Sequence, residues 1–448
     1  MDGLAEAIGD LIEQGPQGLA RFEASLEAEW IESALIATGS ASIRRRKLPA
    51  EQAVWLVLGM GLFWDRSIRD VVDQLGLVMP GTTSLAPSAI TQARQRLGPE
   101  PLEHLFRRVA AAWSSPVDSP GYHDLAVFAV DGVCIRVPDS KENFEHFGKP
   151  SGRGGDNDAG YPMLRMTCLL NVTTRMLRDA RFGPYLRSED ELAKELWDQL
   201  PPKSLVILDR GYCNYSMFRA LSSRGEERHF MVRMREDMKV ELLESLDDGS
   251  ARARLIPSKD TLKAHPDLRD SAIEGRVVEY QHAGGKPSRI FVTLIDHEAY
   301  PAKELVRLYH ERWEIELAYD ELKTHMIERN ECLRSKTPRG VEQELWGLLT
   351  VYNLVRREMA LAAAVHRVPP RRISFRSSLT WIRSFFLVTC RTAPANIPKH
   401  LGNLRSTLDV LVLPERRAER RFPRHVKIKM SRYARNRGRT GMQPPSAN

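Results

Sequence analysis

The sequence predicts an α/β protein in which a mixed sheet carries helices on its faces, a helical region comes first, and a β-rich insertion interrupts the sheet-forming part. Apolar residues recur at helical spacing over roughly the first 115 positions, apolar runs with β-branched residues follow, and a helical pattern returns near residue 301. At 448 residues the chain exceeds what one core usually serves. We therefore expect a helical domain at 1–116, a core in two pieces at 117–226 and 298–392, the insertion at 227–297, and a carboxy-terminal segment at 393–448.

Four helices are predicted in the amino-terminal region. Apolar spacing indicates helices at 18–38 and 49–63. A third helix at 67–75 starts with a capping Ser and ends at Gly76, and after a turn Pro87 opens a fourth. The last two resemble a helix-turn-helix, but their connection is longer than the usual turn, so an ordinary helical bundle with a basic face is an equal alternative. The candidate DNA contacts on the fourth helix are Gln92, Arg94 and Arg96.

Strand patterns begin after a linker that contains Ser and Pro. Residues 126–130 form a continuous apolar run typical of a buried strand, and residues 133–137 are expected to return from it as a second strand. Between residues 227 and 297, strand-like segments alternate with Gly, Asp and Pro turns, which indicates the β-rich insertion. The other predicted elements are strands at 163–172, 177–182 and 204–208, and helices at 189–200, 301–326, through 364 and at 377–388.

The positive charge of the chain is concentrated near its carboxyl end. The formal charge is +8, and residues 415–439 contain eleven Lys or Arg against two acids, a local net of +9, so the remainder is about neutral. Such a cluster suits a polyanion whose counterions are released on binding, although charge runs are also found as merely solvated tails. The candidate DNA contacts in this tail are Arg420, Arg421, Arg424, Lys427 and Lys429.

Several classes of protein are excluded by composition. The longest apolar run, at 53–64, is far shorter than the ~20 residues that span a bilayer, and the amino terminus is acidic, so we expect no membrane partner and no secretory signal. Five scattered cysteines without a CxxC pair argue against disulfides or a zinc knuckle and favour the cytoplasm. The GGKPS segment lacks the spacing of a P-loop, and no HExxH occurs, so no nucleotide cofactor is indicated.

Two aspartates occupy the same kind of position. Asp131 directly follows the apolar run AVFAV and Asp209 directly follows SLVIL, each next to or near a glycine. A carboxylate at a buried strand end is costly to ionise unless a cation or hydrogen-bond donors compensate it. Considered singly, each aspartate also fits an ordinary turn after a strand.

A stripe of polar residues on the helix at 301–326 adds a third acid. At about 100° per residue Tyr309, Arg312, Glu316 and Lys323 fall on one stripe, flanked on both sides by apolar residues. An exposed salt-bridge face would instead lie opposite the core, which is where the pattern places Glu311, Glu314 and Glu321. We therefore expect Glu316 to be buried and to need compensation, which a metal shared with the two aspartates would supply.

The spacing of this stripe carries a resemblance. The YREK signature is matched by Tyr309, Arg312, Glu316 and Lys323, with two, three and six residues between successive members. In this motif the chain is similar to insertion-sequence transposases of family four within the retroviral-integrase-like superfamily. The DG and DRGY contexts of Asp131 and Asp209 and the amino-terminal RRRKLPA, DRSIRDVV and ARQRLG segments agree with it, so the resemblance spans about residues 20–430.

The resemblance implies a ribonuclease-H-like core in which Asp131, Asp209 and Glu316 bind two divalent ions, normally Mg²⁺ with Mn²⁺ as a substitute. Two such ions activate a water or a DNA 3′ hydroxyl and stabilise the leaving oxygen in phosphodiester displacement. Tyr309, Arg312 and Lys323 are then expected to contact phosphates near the cut. The implied partners are double-stranded DNA, as transposon terminal inverted repeats and target, and a second copy of the chain in a synaptic complex that acts by cut-and-paste.

Other residues near the motif have two interpretations. Trp313 could stack on an unpaired base or pack in the core, and Tyr212 and Arg210 carry the same ambiguity between DNA contact and structure. Asp156 and Asp158, in a Gly-rich segment, could compete as metal ligands. Two functions besides transposition are compatible with the sequence: a ribonuclease-H-like nuclease without strand transfer, and a catalytically silent DNA-binding regulator of transposition.

Overall fold

The computed structural model describes residues 26–41, 48–77, 85–113, 121–150, 160–225, 227–264, 266–269, 271–281, 287–327, 332–389 and 396–414. The contacts divide the chain after Val412 into a large compact unit and a carboxy-terminal one. Within the residues described, none of the helices combines the length and the apolar character that crossing a membrane requires.

Five helices lie in the described amino-terminal residues, and local signals fix the ends of several of them. The Ser67 hydroxyl accepts a hydrogen bond from the Asp70 amide at 3.1 Å, and Gly76 ends the same helix with φ 57°, a left-handed conformation that glycine adopts without strain. The second helix is buried on all sides over residues 52–62 and packs against the helix Pro338–Val365. The five are α1 (Ala28–Ala37), α2 (Ala50–Leu62), α3 (Ile68–Leu75), α4 (Pro87–Leu97) and α5 (Glu100–Trp113).

Nine strands form one mixed sheet in the order β3-β2-β1-β4-β5-β9-β8-β7-β6. Strands β1, β4 and β5 run parallel to one another, and all other neighbours are antiparallel. The strands are β1 (Ala126–Arg136), β2 (Met163–Asn171), β3 (Leu177–Pro184), β4 (Ser204–Leu208), β5 (Arg228–Arg233), β6 (Val240–Ser245), β7 (Ala251–Leu255), β8 (Ile273–Tyr280) and β9 (Ser288–Val292).

The prediction of two short strands around Asp131 is wrong. Residues 126–136 form one strand, because β2 stays paired with β1 from Phe128 through Arg136 and the chain does not reverse at the Asp-Gly pair. Strand β4 pairs with β1 only up to Val130, so Asp131 stands where the parallel neighbour ends. Asp131 therefore lies at a strand end with respect to β4 but in the middle of its own strand.

The β-rich stretch extends the same sheet. Strand β5, which the sequence analysis assigned to the insertion, pairs in parallel with β4. The remaining strands then continue outward from β5 through β9 to the edge strand β6. The hydrogen bonds from β5 to β9 thus join this stretch directly to the central strands.

The sheet separates two apolar clusters, because successive side chains of a strand point to opposite faces. Val127 and Ala129 belong to the larger cluster, together with the amino-terminal helices and α12 (Pro338–Val365). Phe128 and Val130 belong to the smaller cluster on the other face. By the same alternation Asp131 faces the side of the larger cluster. The short helices are α6 (Lys141–Phe147), α7 (Glu189–Lys194), α8 (Tyr215–Ser222) and α9 (Lys259–Ala264).

The helix predicted at 301–326 is divided into three pieces. They are α10 (Ala302–His310), α11 (Trp313–Asp320) and a π-helix (Glu321–Met326). At the first junction the amides of Glu311 and Arg312 donate to carbonyls three residues back, which tightens the turn. Apolar spacing predicts the helical course but carries no information on such changes of pitch. Helices α12, α13 (Phe375–Thr389) and α14 (Ile397–Thr407) follow.

Candidate active site

Strand register brings the two aspartates together. In the parallel pair of β1 and β4, Val130 lies opposite Leu208, and the next residue on each strand is the aspartate. Asp131 and Asp209 are therefore side by side where β4 ends, although 78 positions separate them in sequence. Asp209 then precedes a short 3₁₀-helix (Arg210–Tyr212).

Helix α11 brings the third acid to the same place through Arg312. The Arg312 Nη2 donates to Glu316 Oε1 at 3.1 Å, and its Nε lies 3.8 Å from Asp209 Oδ1. The helix is tied to β1, since the Tyr319 hydroxyl donates to the backbone carbonyl of Asp131 at 2.5 Å. Burial lowers the pKa of Arg312, but the attraction of Asp209, Glu316 and Asp131 outweighs it and the pKa is raised, so the guanidinium stays charged.

The Asp131 carboxyl is perturbed by burial. Burial raises its pKa to about 6, and the negative charges of Glu189 and Asp209 act in the same direction, while the Gly132 amide and Arg312 oppose it. The neighbouring charges thus do not compensate the Asp131 carboxylate fully. Carboxylate oxygens are the ligands that a hard divalent cation prefers.

No group of three or more His, Cys, Asp or Glu within the described ranges is close enough to hold an ion as the side chains stand. The contacts explain this: the Arg312 guanidinium lies against both Asp209 and Glu316. The negative charge of neighbouring carboxylates must be compensated by a cation, and either a guanidinium or a metal ion can compensate it.

The expected burial of the helix acids is wrong. The Glu316 side chain is 38% exposed, whereas those of Glu314 and Glu321, expected on the exposed side, are 7% and 9% exposed. Arg175, between β2 and β3, donates to Glu314 at 2.5 Å and to Glu321 at 2.7 Å. Arg356 of α12 also donates to Glu321. A helical wheel cannot show these partners, because they come from distant parts of the chain.

Comparison with known proteins agrees with this geometry. Residues 16–107 match the family described as insertion element 4 transposase N-terminal, and residues 122–354 match the transposase DDE domain. The chain is 35% identical over 410 residues to the transposase InsG for insertion sequence element IS4 of Escherichia coli (strain K12), covering 91% of this chain and 92% of that protein.

The chain belongs to the IS4 family of DDE transposases. It is a DNA transposase, an enzyme that cleaves DNA and transfers strands, and DDE transposases generally use divalent metal ions. The putative transposase InsZ of the same organism is 32% identical over 233 residues, 51% of this chain and 76% of that protein. The cryo-EM structure of a piggyBac transposase synaptic complex with hairpin DNA shows 11% identity over 90% of this chain and 86% of that one, with a TM-score of 0.42, too low to support an argument.

The other residues of the transposase motif differ in exposure. Tyr309 is buried, and burial raises the pKa of its hydroxyl. Lys323 is half-buried on the π-helix. Trp313 is 40% exposed, with the Arg312 guanidinium 5.3 Å from its ring centre, so the core-packing interpretation of Trp313 is wrong.

Arg210 and Tyr212, which follow Asp209, differ in exposure. Arg210 is exposed, whereas Tyr212 is buried in the smaller apolar cluster. Within the part of the chain that is described, the Tyr212 hydroxyl has no hydrogen-bond partner, and burial raises its pKa. Its burial favours the structural interpretation over a DNA contact.

The sequence analysis missed Glu189, which lies beside Asp131. The Glu189 carboxylate accepts a hydrogen bond from Arg165 Nη1 at 2.8 Å. A Cβ atom built on Gly132 would come within 2.4 Å of the Glu189 side chain, so the glycine of the Asp-Gly pair makes room for this acid. The only sequence signal was an acid after the capping Ser188, which is common at helix starts.

The predicted contacts outside the motif have different outcomes. Arg94 is engaged within the protein, because its Nε donates to Gln343 Oε1 at 3.0 Å and its Nη2 to Ser335 Oγ at 2.9 Å. Gln92 and Arg96 are exposed on the same helix. The other candidates lie outside the described residues: Asp156, Asp158, Arg420, Arg421, Arg424, Lys427 and Lys429.

Proposed function

We propose that Asp131, Asp209 and Glu316 are the catalytic acids of this transposase and that they hold two divalent ions, normally Mg²⁺, with Mn²⁺ as a substitute. The observation that carries the proposal is the register of β1 and β4, which sets the two aspartates side by side under the helix that carries Glu316. Bound there, the ions would activate water or a 3′ hydroxyl and stabilise the leaving oxygen.

The order of the central strands supports a ribonuclease-H-like core. Strands β1, β2 and β3 form an antiparallel meander, and β4 and β5 follow in parallel beside β1, giving the order β3-β2-β1-β4-β5. In such sheets, sites form where parallel strands end. We infer that residues 227–297, apart from β5, are an insertion into this core and that residues 1–116 are a DNA-binding domain.

Arg312 would orient the acids and contact DNA. Its two contacts with Asp209 and Glu316 fix both carboxylates relative to each other. A guanidinium has five N–H donors, so donors remain for a phosphate next to the reacting bond. Lys323 and Tyr309 would contact neighbouring phosphates, and the exposed Trp313 would stack on an unpaired base.

The DNA substrates would be the terminal inverted repeats of an insertion sequence and a target duplex. The name of the InsG relative ties that protein to such an element, and its similarity covers nearly all of both chains. The basic residues 415–439 would add affinity through phosphate neutralisation. Because two ends must be joined, we propose a homodimer in a synaptic complex that acts by cut-and-paste.

A strand-transfer assay tests the proposed function. The full chain is incubated with a duplex that carries a transposon end and with a supercoiled target, in Mg²⁺, in Mn²⁺ or in EDTA. We expect metal-dependent nicking at the end and joined products. Nicking without joining would assign a nuclease, and DNA binding without either product would assign a silent regulator of transposition.

A further inference from the structure

A cavity of about 650 Å³ lies away from the three acids, between α4 and the segment that leads into α12. One wall is the α4 face that carries Thr91, Arg94 and Gln95. The other is residues 334–340. The cavity therefore lies where an amino-terminal helix meets the chain that follows the transposase motif.

The lining of this cavity contains four cationic side chains. Its charged members are Arg94, Arg334, Lys336 and Arg339, and no carboxylate is among the described residues that line it. Arg339 is paired with Glu100 at 2.9 Å. Lys336 is exposed, and within the described ranges its ammonium group has no carboxylate partner. An uncompensated ammonium group at the mouth of a basic cavity favours an anion.

Hydrogen bonds hold the walls in place. The buried Glu344 carboxylate accepts from the backbone amides of Arg334 and Ser335 and from Arg334 Nε at 3.1 Å. The Gln343 amide donates to the carbonyls of Arg94 and Gly98 at 2.9 and 2.8 Å. These contacts fix the walls of the cavity before a ligand arrives, which lowers the entropic cost of binding. Because Glu344 pairs with Arg334, the exposed Lys336 is the cation of this wall that a ligand can reach.

We propose that this cavity binds a backbone phosphate of the transposon-end DNA, with Lys336 as the contacting cation; the proposal rests on the proposed function. The Leu333 amide donates to the carbonyl of Arg136, the last residue of β1, which ties the segment to the strand of Asp131. Five residues of strand from Asp131 to Arg136 span about 17 Å. At 3.4 Å per nucleotide, this span corresponds to about five nucleotides, which is the separation from the cut that we expect for the contacted phosphate.

Salt dependence of binding tests the contact. The dissociation constant of full-length protein and an end-containing duplex is measured from low to moderate salt for the parent, Lys336→Ala and the control Lys259→Ala. Lys259 is an exposed lysine on α9, remote in sequence from the cavity. We expect Lys336→Ala to lower the slope of log K against log salt by about 0.9, the value for one phosphate, and Lys259→Ala to leave it unchanged.

A chemical change in the DNA identifies the phosphate. Neutral methylphosphonate linkages are placed singly at each position from the cut inward. At the contacted position, the neutral linkage should weaken binding by the parent about as much as Lys336→Ala does. The neutral linkage combined with Lys336→Ala should weaken binding no more than either change alone. Full additivity at every position would overturn the contact, as would a Lys336→Ala slope equal to that of the parent.

Free phosphate is the competing source of the anion. If inorganic phosphate raises the melting temperature of the parent but not of Lys336→Ala, while the DNA slope is unaltered, the cavity binds a free anion and the DNA contact is refuted. These readouts report binding alone. A failure of the parent to cleave would therefore count against the proposed function and leave the phosphate contact to be decided by the slope.

Discussion

Acidic side chains on one stretch of helix have two different environments. Glu314 and Glu321 are buried, and each accepts short hydrogen bonds from Arg175. Glu316 lies between them in sequence but is partly exposed and contacts only the arginine of its own motif among the side chains described. Burial alone therefore does not separate the acids that hold the helix from the acid proposed to be catalytic. The buried acids tie the helix to Arg175, whereas Glu316, which Arg312 links to Asp209, remains partly exposed.

Replacing Glu316 with Gln gives the largest expected effect of this comparison. The change keeps side-chain size but removes a charge that the divalent ions need, so cleavage should fall by about three orders of magnitude or more, about 4 kcal/mol in activation free energy. Because Glu316 is partly exposed, its pairing with Arg312 contributes about 0.2–1 kcal/mol or less, and the melting temperature should hardly change. Nicking in Mg²⁺ and a thermal melt measure the two quantities.

Asp320 provides the matched control for Glu316. It is an exposed acid at the end of the same helix, and its carboxylate accepts from the Thr324 hydroxyl at 2.8 Å. Asp320→Asn should cleave at the parent rate. Parent-like cleavage by Glu316→Gln would remove Glu316 from the catalytic acids.

Replacing Glu321 with Gln should lower stability and leave cleavage unchanged, the reverse of what we expect for Glu316→Gln. The change leaves the buried Arg356 without the carboxylate that pairs with it and removes one of the two carboxylates that pair with Arg175. Removal of one partner from such a buried network costs roughly 3–5 kcal/mol. Chemical denaturation should show this loss, while protein that remains folded should still cleave DNA. A stability loss below 1 kcal/mol would show that these ion pairs do not hold the helix.

The sequence identifies Glu316 as a candidate acid but does not predict the burial of Glu314 and Glu321. Helix starts at Ser67 and Pro87 follow from local capping and backbone chemistry, and they occur where expected. The YREK spacing led to Glu316 and, with the strand-end aspartates, to the three candidate acids. The burial of Glu314 and Glu321 was missed, since Arg175 is 139 and 146 positions away in sequence. Pairing at such separations depends on topology that periodicity does not contain.

The pairing of the strands around Asp131 is a second feature that the sequence does not predict. The Asp-Gly pair after an apolar run indicates a turn locally, yet β2 remains paired across it and the strand continues. The side-by-side placement of Asp131 and Asp209 follows from the pairing of β1 with β4. Each aspartate could be found from its own segment, but their adjacency could not.

Replacing Asp131 with Asn should stabilise the protein in EDTA. Burial raises the folded-state pKa of Asp131 to about 6, above the usual 3.8. The stability that the protonated Asp131 carboxyl contributes is therefore fully present below pH 3.8 and is lost as pH rises through 6. At pH 7.5 the neutral variant should gain about 1–3 kcal/mol in the free energy of unfolding. Denaturation at pH 4 and pH 7.5 checks the sign: the difference between parent and Asp131→Asn must grow with pH.

Replacing Trp313 with Ala should have a small effect on stability. The ring is 40% exposed, and its contact with the Arg312 guanidinium is worth about 0.5–1 kcal/mol at such a site. The free energy of unfolding should therefore fall by about 1 kcal/mol or less, whereas loss of a base-stacking partner would weaken end binding by about 1–3 kcal/mol. The buried Trp346 is the control: the same change there should cost about 3–5 kcal/mol of stability. Equal destabilisation by the two changes would mean that Trp313 is a packing residue and that its exposure has no function in DNA recognition.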